Sequence, residues 1–353
     1  MTSHERMTAV YQRHEPDRVP IFDILWDSTI ERWYAEGLPQ TVDWETYCGI
    51  DRFVDMTLID TSPRFEPRII EETSTYLIDQ DQWGQVKKNF KPISTTPMHI
   101  DSYIKNMRTW NAAKSNMKPT SDRVDWDAFK KNYPIWRASG AWLYIAPWFG
   151  YDVISTRMIN SETILYAMAD NPAWVADMCN TGCDLSLALL DMIWDAGYHF
   201  DELLWWDDMA YKNGMFFSKQ MWRNILMPYQ KRTIDWAHSH GIKAQLHCCG
   251  NINSLIPDLI DLGLDALNPM EVKAGMDPVQ IKKIYGRDLV LRGGFDIRNW
   301  ESSLKAGEDI RIKLPQMMKG GGYIFSSDHS IPHTVNLDTY IEIVNLVKDS
   351  GSY

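Results

Sequence analysis

Lys243-Ala-Gln-Leu-His247-Cys248-Cys249-Gly250-Asn251-Ile-Asn253-Ser254-Leu-Ile-Pro-Asp-Leu-Ile-Asp-Leu262 is a short alternating segment that runs directly into a helical one. An imidazole and two thiols therefore sit where a strand hands over to a helix, which in a β/α architecture is the catalytic end of the strand. His247 and Cys249 are two apart. On an extended strand their side chains point the same way and can share one zinc ion, with Cys248 facing away.

The same alternation extends outward from this stretch. Upstream, Ser218 to His240 reads as a helix kinked at Pro228 and stopped by Gly241. Before it, Glu202-Leu-Leu-Trp-Trp206 is a strand ending in Asp207-Asp208, Pro172 to Ala196 is a long helix, and Ala141 to Ala146 is a strand. Downstream, Leu264 to Asn268, Leu289 to Arg292 and Tyr323 to Ser327 read as strands. Asp277-Pro278 is an N-cap with a first-turn proline, and Asn336 to Lys348 is the last helix.

Repeated βα units imply a parallel sheet covered by helices on both faces. The number of units favours a closed (β/α)8 TIM-type barrel over a doubly wound open sheet. No G-x-G-x-x-G or Walker A motif supports the open sheet, and Gly320 to Gly322 precedes a strand, as a turn does. Residues 1 to 140 are less regular and read as an N-terminal extension plus the first barrel units, with Asn111 to Arg123 a loop or excursion. The expectation is one barrel domain over 1–353, with the regular units that carry the site in 141–353.

Composition narrows the function. The 353 residues carry a net charge of −11 and no Lys/Arg block, which argues against nucleic acid as a partner. No apolar run is long enough to span a bilayer, the N-terminus lacks a signal-peptide core, and five cysteines, two adjacent, make a poor disulfide framework. A cytoplasmic protein with reduced thiols is expected. The 16 tryptophans mostly fill a core, with some left to line a cavity.

Two further strand ends carry polar clusters: Trp205-Trp206-Asp207-Asp208 with Tyr211 beyond, and Ser326-Ser327-Asp328-His329-Ser330. In a barrel all three clusters converge on one mouth. One ring of Trp205-Trp206 belongs to the wall and one to the mouth. Either aspartate has a plain alternative role as a cap. His238 and His240 end a helix, where an imidazole favours the dipole, and Cys179 and Cys183 read as small buried residues. No Gly-x-Ser-x-Gly elbow is present.

Glu15-Pro-Asp-Arg-Val-Pro20, Asp207-Asp-Met-Ala-Tyr-Lys-Asn213, Leu246-His-Cys-Cys-Gly-Asn251, Gly263-Leu-Asp-Ala-Leu-Asn-Pro269, Arg292-Gly-Gly-Phe-Asp296 and Ser326-Ser-Asp-His-Ser-Ile-Pro332 together resemble the uroporphyrinogen decarboxylase-like superfamily. The resemblance covers essentially the whole chain. It is strong over 200 to 345 and loose over 40 to 140. It implies a distorted (β/α)8 barrel with an N-terminal extension. The decarboxylase branch carries an Arg-Gln-Ala-Gly-Arg stretch soon after Asp-Arg-Val-Pro. Here that stretch is Ile21-Phe-Asp-Ile-Leu-Trp-Asp27, where Asp23 and Asp27 would repel a polycarboxylate. The other branch comprises zinc methyltransferases that exchange methyl groups with a corrinoid, with His-x-Cys and a distant Cys before Gly-Ile-Pro. His247 and Cys249 match the first part, and the distant position falls on His329.

The resemblance thus implies zinc held by His247, Cys249 and His329, with Asp328 as the alternative third ligand, and a corrinoid on an obligatory carrier protein. Asp207 or Asp208 would then orient groups or donate a proton, with His329 also in a catalytic role. Trp205, Trp206, Tyr211, Trp26 and Trp148 would line the substrate site, which suits a flat aromatic methyl ether or a cationic methyl donor. The competing readings are a metal-free decarboxylase or lyase for a small aromatic or heterocyclic acid, with Asp208 and His329 as acid–base pair, and a non-catalytic binding protein for a corrinoid or tetrapyrrole.

Overall fold

In the computed structural model, which describes residues 1–91 and 96–353, β1 (Phe53–Asp55) begins a parallel sheet. Four strands then form a separate antiparallel sheet: β2 (Arg68–Glu72), β3 (Tyr76–Gln80), β4 (Gln85–Phe90) and β5 (Met98–Ser102). The parallel sheet resumes with β6 (Trp142–Ile145) and β7 (Glu202–Trp206). A small ribbon of β8 (Ala210–Tyr211) and β9 (Gly214–Met215) follows. The parallel sheet ends with β10 (Lys243–His247), β11 (Ala266–Asn268), β12 (Val290–Arg292) and β13 (Tyr323–Ile324).

The parallel strands run in chain order, β1-β6-β7-β10-β11-β12-β13. The gap between the last and the first is filled by the segment after Asp17-Arg18-Val19. Phe325 N donates to Pro20 O at 2.8 Å, Phe22 N to Phe325 O at 3.0 Å, and Asp51 N to Ile21 O at 3.1 Å. The result is the TIM-type barrel that the alternation predicts. The helix Ser3–Tyr11 plugs its N-terminal end. Met7, Val10 and Tyr11 pack with Phe53, Trp142, Ala266, Val290 and Ile324, and the Tyr11 hydroxyl and Trp142 indole both donate to buried Glu202.

Register fixes which side chains enter the barrel. Trp206 pairs with His247 and His247 with Asn268, so these three share one lumen-facing layer near the C-terminal end. The intervening residues, Trp205, Leu246 and Leu267, point outward and are buried under the helices. Helix starts follow their caps: Asn171 before Pro172–Asp195, Asp277 before Pro278–Tyr285, Asn336 before Leu337–Ser350.

Two expectations are corrected. The segment from Ser218 to His240 is not one kinked helix. A short turn, Lys219–Met221, passes through a π-helical stretch, Trp222–Leu226, into the helix Met227–Ser239. Pro228 has no N–H and crowds the carbonyl four residues back, and the wider π turn relieves both. The expected loop Asn111 to Arg123 begins inside a helix, Met107–Lys114, started by an Asn106 capping box. No helix among the described residues is long and apolar enough to cross a membrane.

Candidate active site

His247 ends β10, and Cys249 lies two residues on, where the chain turns through Gly250. Gly250 has a φ of +84°, and a Cβ there would meet the Ala210 carbonyl carbon at 2.4 Å. Glycine thus lets the turn press against the β8 ribbon, and Asn251 N donates to Tyr211 O at 2.9 Å. On the other side, Gly250 N donates to the Glu271 carboxylate at 2.5 Å.

This turn brings three metal-ligating side chains together. Ligand atoms of Asp208, His247 and Cys249 all lie within 4.8 Å of one another. Cys249 Sγ is 3.4 Å from His247 Nε2, which is 4.0 Å from the Asp208 carboxylate. Asp208 also accepts the Cys249 backbone N–H at 2.6 Å, which ties the two strand ends together.

The tautomer of His247 follows from its neighbours. Arg292, buried in the lumen, donates from Nη2 to Asn268 Oδ1 at 3.0 Å. A guanidinium can only donate, so Asn268 presents its oxygen. That same oxygen meets His247 Nδ1, which must therefore carry the proton. The Nε2 lone pair is left facing Cys249 and Asp208. Burial holds the His247 pKa below its ordinary value, so the ring is neutral and fit to ligate. Burial, and after it the Asp208 and Glu271 carboxylates, push the Cys249 thiol well up. One imidazole, one thiol and one carboxylate, with a hydrogen-bonded second nitrogen on the histidine, fit zinc. Three protein donors are the pattern of a catalytic rather than a structural zinc site.

Asp208 opens onto a cavity of about 770 Å³. Trp26, Trp148 and Trp206 line it from the barrel side, with Trp148 and Trp206 stacked at 4.7 Å between centroids and 13° between planes. Gln85, Lys87 and His99 line it from the antiparallel sheet. Asp152 and Arg157, on the segment after β6, complete the wall. Burial, and then the Asp208 and Asp207 charges, raise the Asp152 carboxyl to about 8. On its inner side His247 faces a small chamber of about 30 Å³ shared with Asn268, Arg292, Ser326 and His329, large enough for a water.

Several expected site residues lie elsewhere. His329 shares the small chamber but stacks on Trp26 and does not join the donor cluster. Asp328 spends both carboxylate oxygens on the backbone N–H groups of Val272 and Ile297. Asp207 is fully buried and accepts from Tyr229, Gln230 and the Asp152 backbone N–H, so it braces the wall from behind. Trp205 points outward into the core. Tyr211 is exposed on the ribbon and stacks on Phe216. Asp23 does not face the mouth: it is buried and accepts from Ser326, Ser327 and Tyr340. Cys248 is buried, its sulfur accepting from Met209 N.

Asp152, Arg157, Asn268 and the sheet residues were not singled out from the sequence. Asn268 had a usable signal, as the polar end of an otherwise apolar strand. The others had none, because the segments that carry them lack the strand-end pattern.

The family model described as Uroporphyrinogen decarboxylase (URO-D) matches residues 146–350. Among solved structures, a methyltransferase from Methanosarcina mazei aligns over 99% of this chain and 99% of its own, with 15% identity and a TM-score of 0.68. A B12-independent methionine synthase from Shewanella sp. W3-18-1 aligns over 95% and 93%, with 10% identity and a TM-score of 0.47. The first shares the fold; the second is too distant to carry an argument. No curated protein matches the sequence.

Proposed function

This chain belongs to the uroporphyrinogen decarboxylase (URO-D) family, and from that premise we propose that it is a zinc-dependent methyltransferase which moves a methyl group between a small methylated substrate, an aromatic methyl ether, and a corrinoid carried by a partner protein. The observation that carries this reading is the Asp208–His247–Cys249 donor cluster at the edge of a tryptophan-lined cavity. The fold shared with the Methanosarcina mazei methyltransferase supports it.

Asp208, His247 and Cys249 would hold the metal. When bound, zinc would supply Lewis acidity toward the oxygen that bears the methyl group, and the reduced corrinoid would supply the nucleophile. The chain's own residues do the rest. Arg292 orients Asn268, and Asn268 holds the His247 proton on Nδ1. Trp206, backed on one side by Trp148, offers its other face to a planar substrate. Asp152 keeps its carboxyl proton at neutral pH and lines the same cavity as Asp208. As the methyl carbon–oxygen bond breaks, the electron pair stays on oxygen, and Asp152 is the group that protonates it.

Metal analysis of the purified protein together with methyl transfer from an aryl methyl ether to added cob(I)alamin tests the reading. One zinc per chain and a methylated corrinoid are expected. A metal-free protein, or a zinc protein that methylates no corrinoid from any ether offered, would reject it.

A further inference from the structure

Arg157 sits on a π-helical turn, Ile154–Met158, between β6 and the helix Ser161–Asp170. Such wide turns forgo regular helical hydrogen bonding and recur at functional sites. Its guanidinium lies over the Trp148 ring, 4.2 Å from the centroid, and that same indole stacks on Trp206. The side chain is thereby held in place at the cavity wall.

Among the described residues the guanidinium has no hydrogen-bond acceptor and no carboxylate within ion-pair distance. Asp81 and Asp152 both feel its charge but lie beyond ion-pair distance, and Asp81 is already paired with Lys87 at 2.8 Å. A largely buried cation without a hydrogen-bond or ion-pair partner among the described residues is costly, and its five N–H donors are unspent on them. The rest of the cavity wall does not explain this, since its other cation on the sheet, Lys87, is neutralised.

We propose that Arg157 is the specificity-determining residue of this cavity, binding the carboxylate of a planar methylated aromatic acid, an inference that rests on the methyl-transfer reading above. The fork of a guanidinium matches a carboxylate with two parallel hydrogen bonds, and its stacking on Trp148 leaves the edge that carries those donors free. Phosphate has the same fit but carries more charge, and Glu162 and Asp208 on the same wall oppose a multiply charged group. A monoanion meets one cation without that repulsion.

Calorimetric titration of the purified protein with 4-methoxybenzoate and its neutral isostere 4-methoxybenzamide tests the inference. The wild type is expected to bind the acid about tenfold more tightly than the amide. Arg157→Gln should abolish this preference and leave amide binding within about twofold, while Arg157→Lys, which keeps charge and loses the fork, should fall between. Equal affinity for acid and amide in the wild type, or no binding of the acid, would overturn the proposal. So would an Arg157→Gln protein that loses both ligands equally, since that marks a prop for Trp148. Methyl transfer to cob(I)alamin is scored separately. Arg157-dependent binding of the acid with no transfer would sink the methyltransferase reading and leave the carboxylate site. Transfer from the amide as efficient as from the acid would do the reverse.

Discussion

The cavity has two walls built on different principles. The barrel wall comes from parallel strands whose residues are buried on both sides, such as Glu202–Trp206 and Lys243–His247, with metal donors where those strands end. The opposite wall comes from an antiparallel sheet whose first strand, Arg68–Glu72, is exposed along its whole length and whose second, Tyr76–Gln80, is half-buried throughout. The barrel side is over-determined: packing above and below each strand fixes its register, and register fixes the chemistry. The sheet side contributes polar contacts, Gln85, Lys87 and His99, from a surface that packs less deeply than the barrel strands. Under the proposed function, reaction chemistry would sit on the barrel wall, and the opposite wall would shape recognition.

The largest way to break this division is at the donor cluster. Cys249→Ala should lose stoichiometric zinc and methyl transfer together, because two remaining donors cannot hold a catalytic ion. Cys248→Ala, one residue away but facing the helical layer, should keep its metal and lose only a little stability. Metal lost from Cys248→Ala and kept by Cys249→Ala would invert the assignment.

A second test probes how much the barrel wall depends on buried polar groups. Burial raises the Asp23 carboxyl from 3.8 to about 6. The folded state therefore holds this proton more tightly than the unfolded chain does. The associated stability is complete below about pH 4 and is lost as pH rises toward 6, by up to about 3 kcal/mol. Urea unfolding at pH 4.5 and pH 7 should show the wild type losing ground to Asp23→Asn at the higher pH. A difference that does not change with pH would show that the carboxyl is not shifted by folding.

Third, Asn268→Leu leaves the His247 nitrogen without an acceptor. Zinc affinity should fall by about 10–100-fold with the fold intact, as for other residues that orient a metal-binding histidine. Competition with a chromogenic chelator measures it, and unchanged affinity would mean that packing alone orients the ring.

The smallest effect belongs to the sheet. His99→Ala removes one polar group from the recognition wall, and KM should rise by about threefold with kcat and melting temperature unaltered. A collapse of kcat instead would place chemistry on the sheet and end the two-wall comparison.

The asymmetry between the walls also explains what could be read in advance. Strands buried on both faces appear in sequence as apolar runs bounded by turn residues, so β7, β10, β11 and β12 were legible to within two or three residues, and the His247–Cys249 pairing followed from alternation alone. The antiparallel sheet was invisible because most of its residues are exposed or half-buried and carry no apolar period. The same blindness hid Lys87 and His99. Asp152 and Arg157 were hidden differently, on a short helical turn, Tyr151–Val153, and the π-helical segment that follows it, neither long enough to show a sequence period.

Local sequence determined the barrel architecture, the helix starts at Asn171, Asp277 and Asn336, and the pairing of His247 with Cys249. Each of these depends on residues near one another in the chain. Tertiary structure decided what depends on convergence. Asp208 lies with His247 and Cys249 and accepts the Cys249 backbone N–H, while Asp328 accepts two other backbone N–H groups and His329 stacks on Trp26. Asp207 and Asp208 are neighbours with opposite fates, one buried against Tyr229 and one open to the cavity. Which of two adjacent carboxylates faces the lumen depends on where the strand ends and how the next turn packs, and that is set by contacts with residues 22 to 55 positions away.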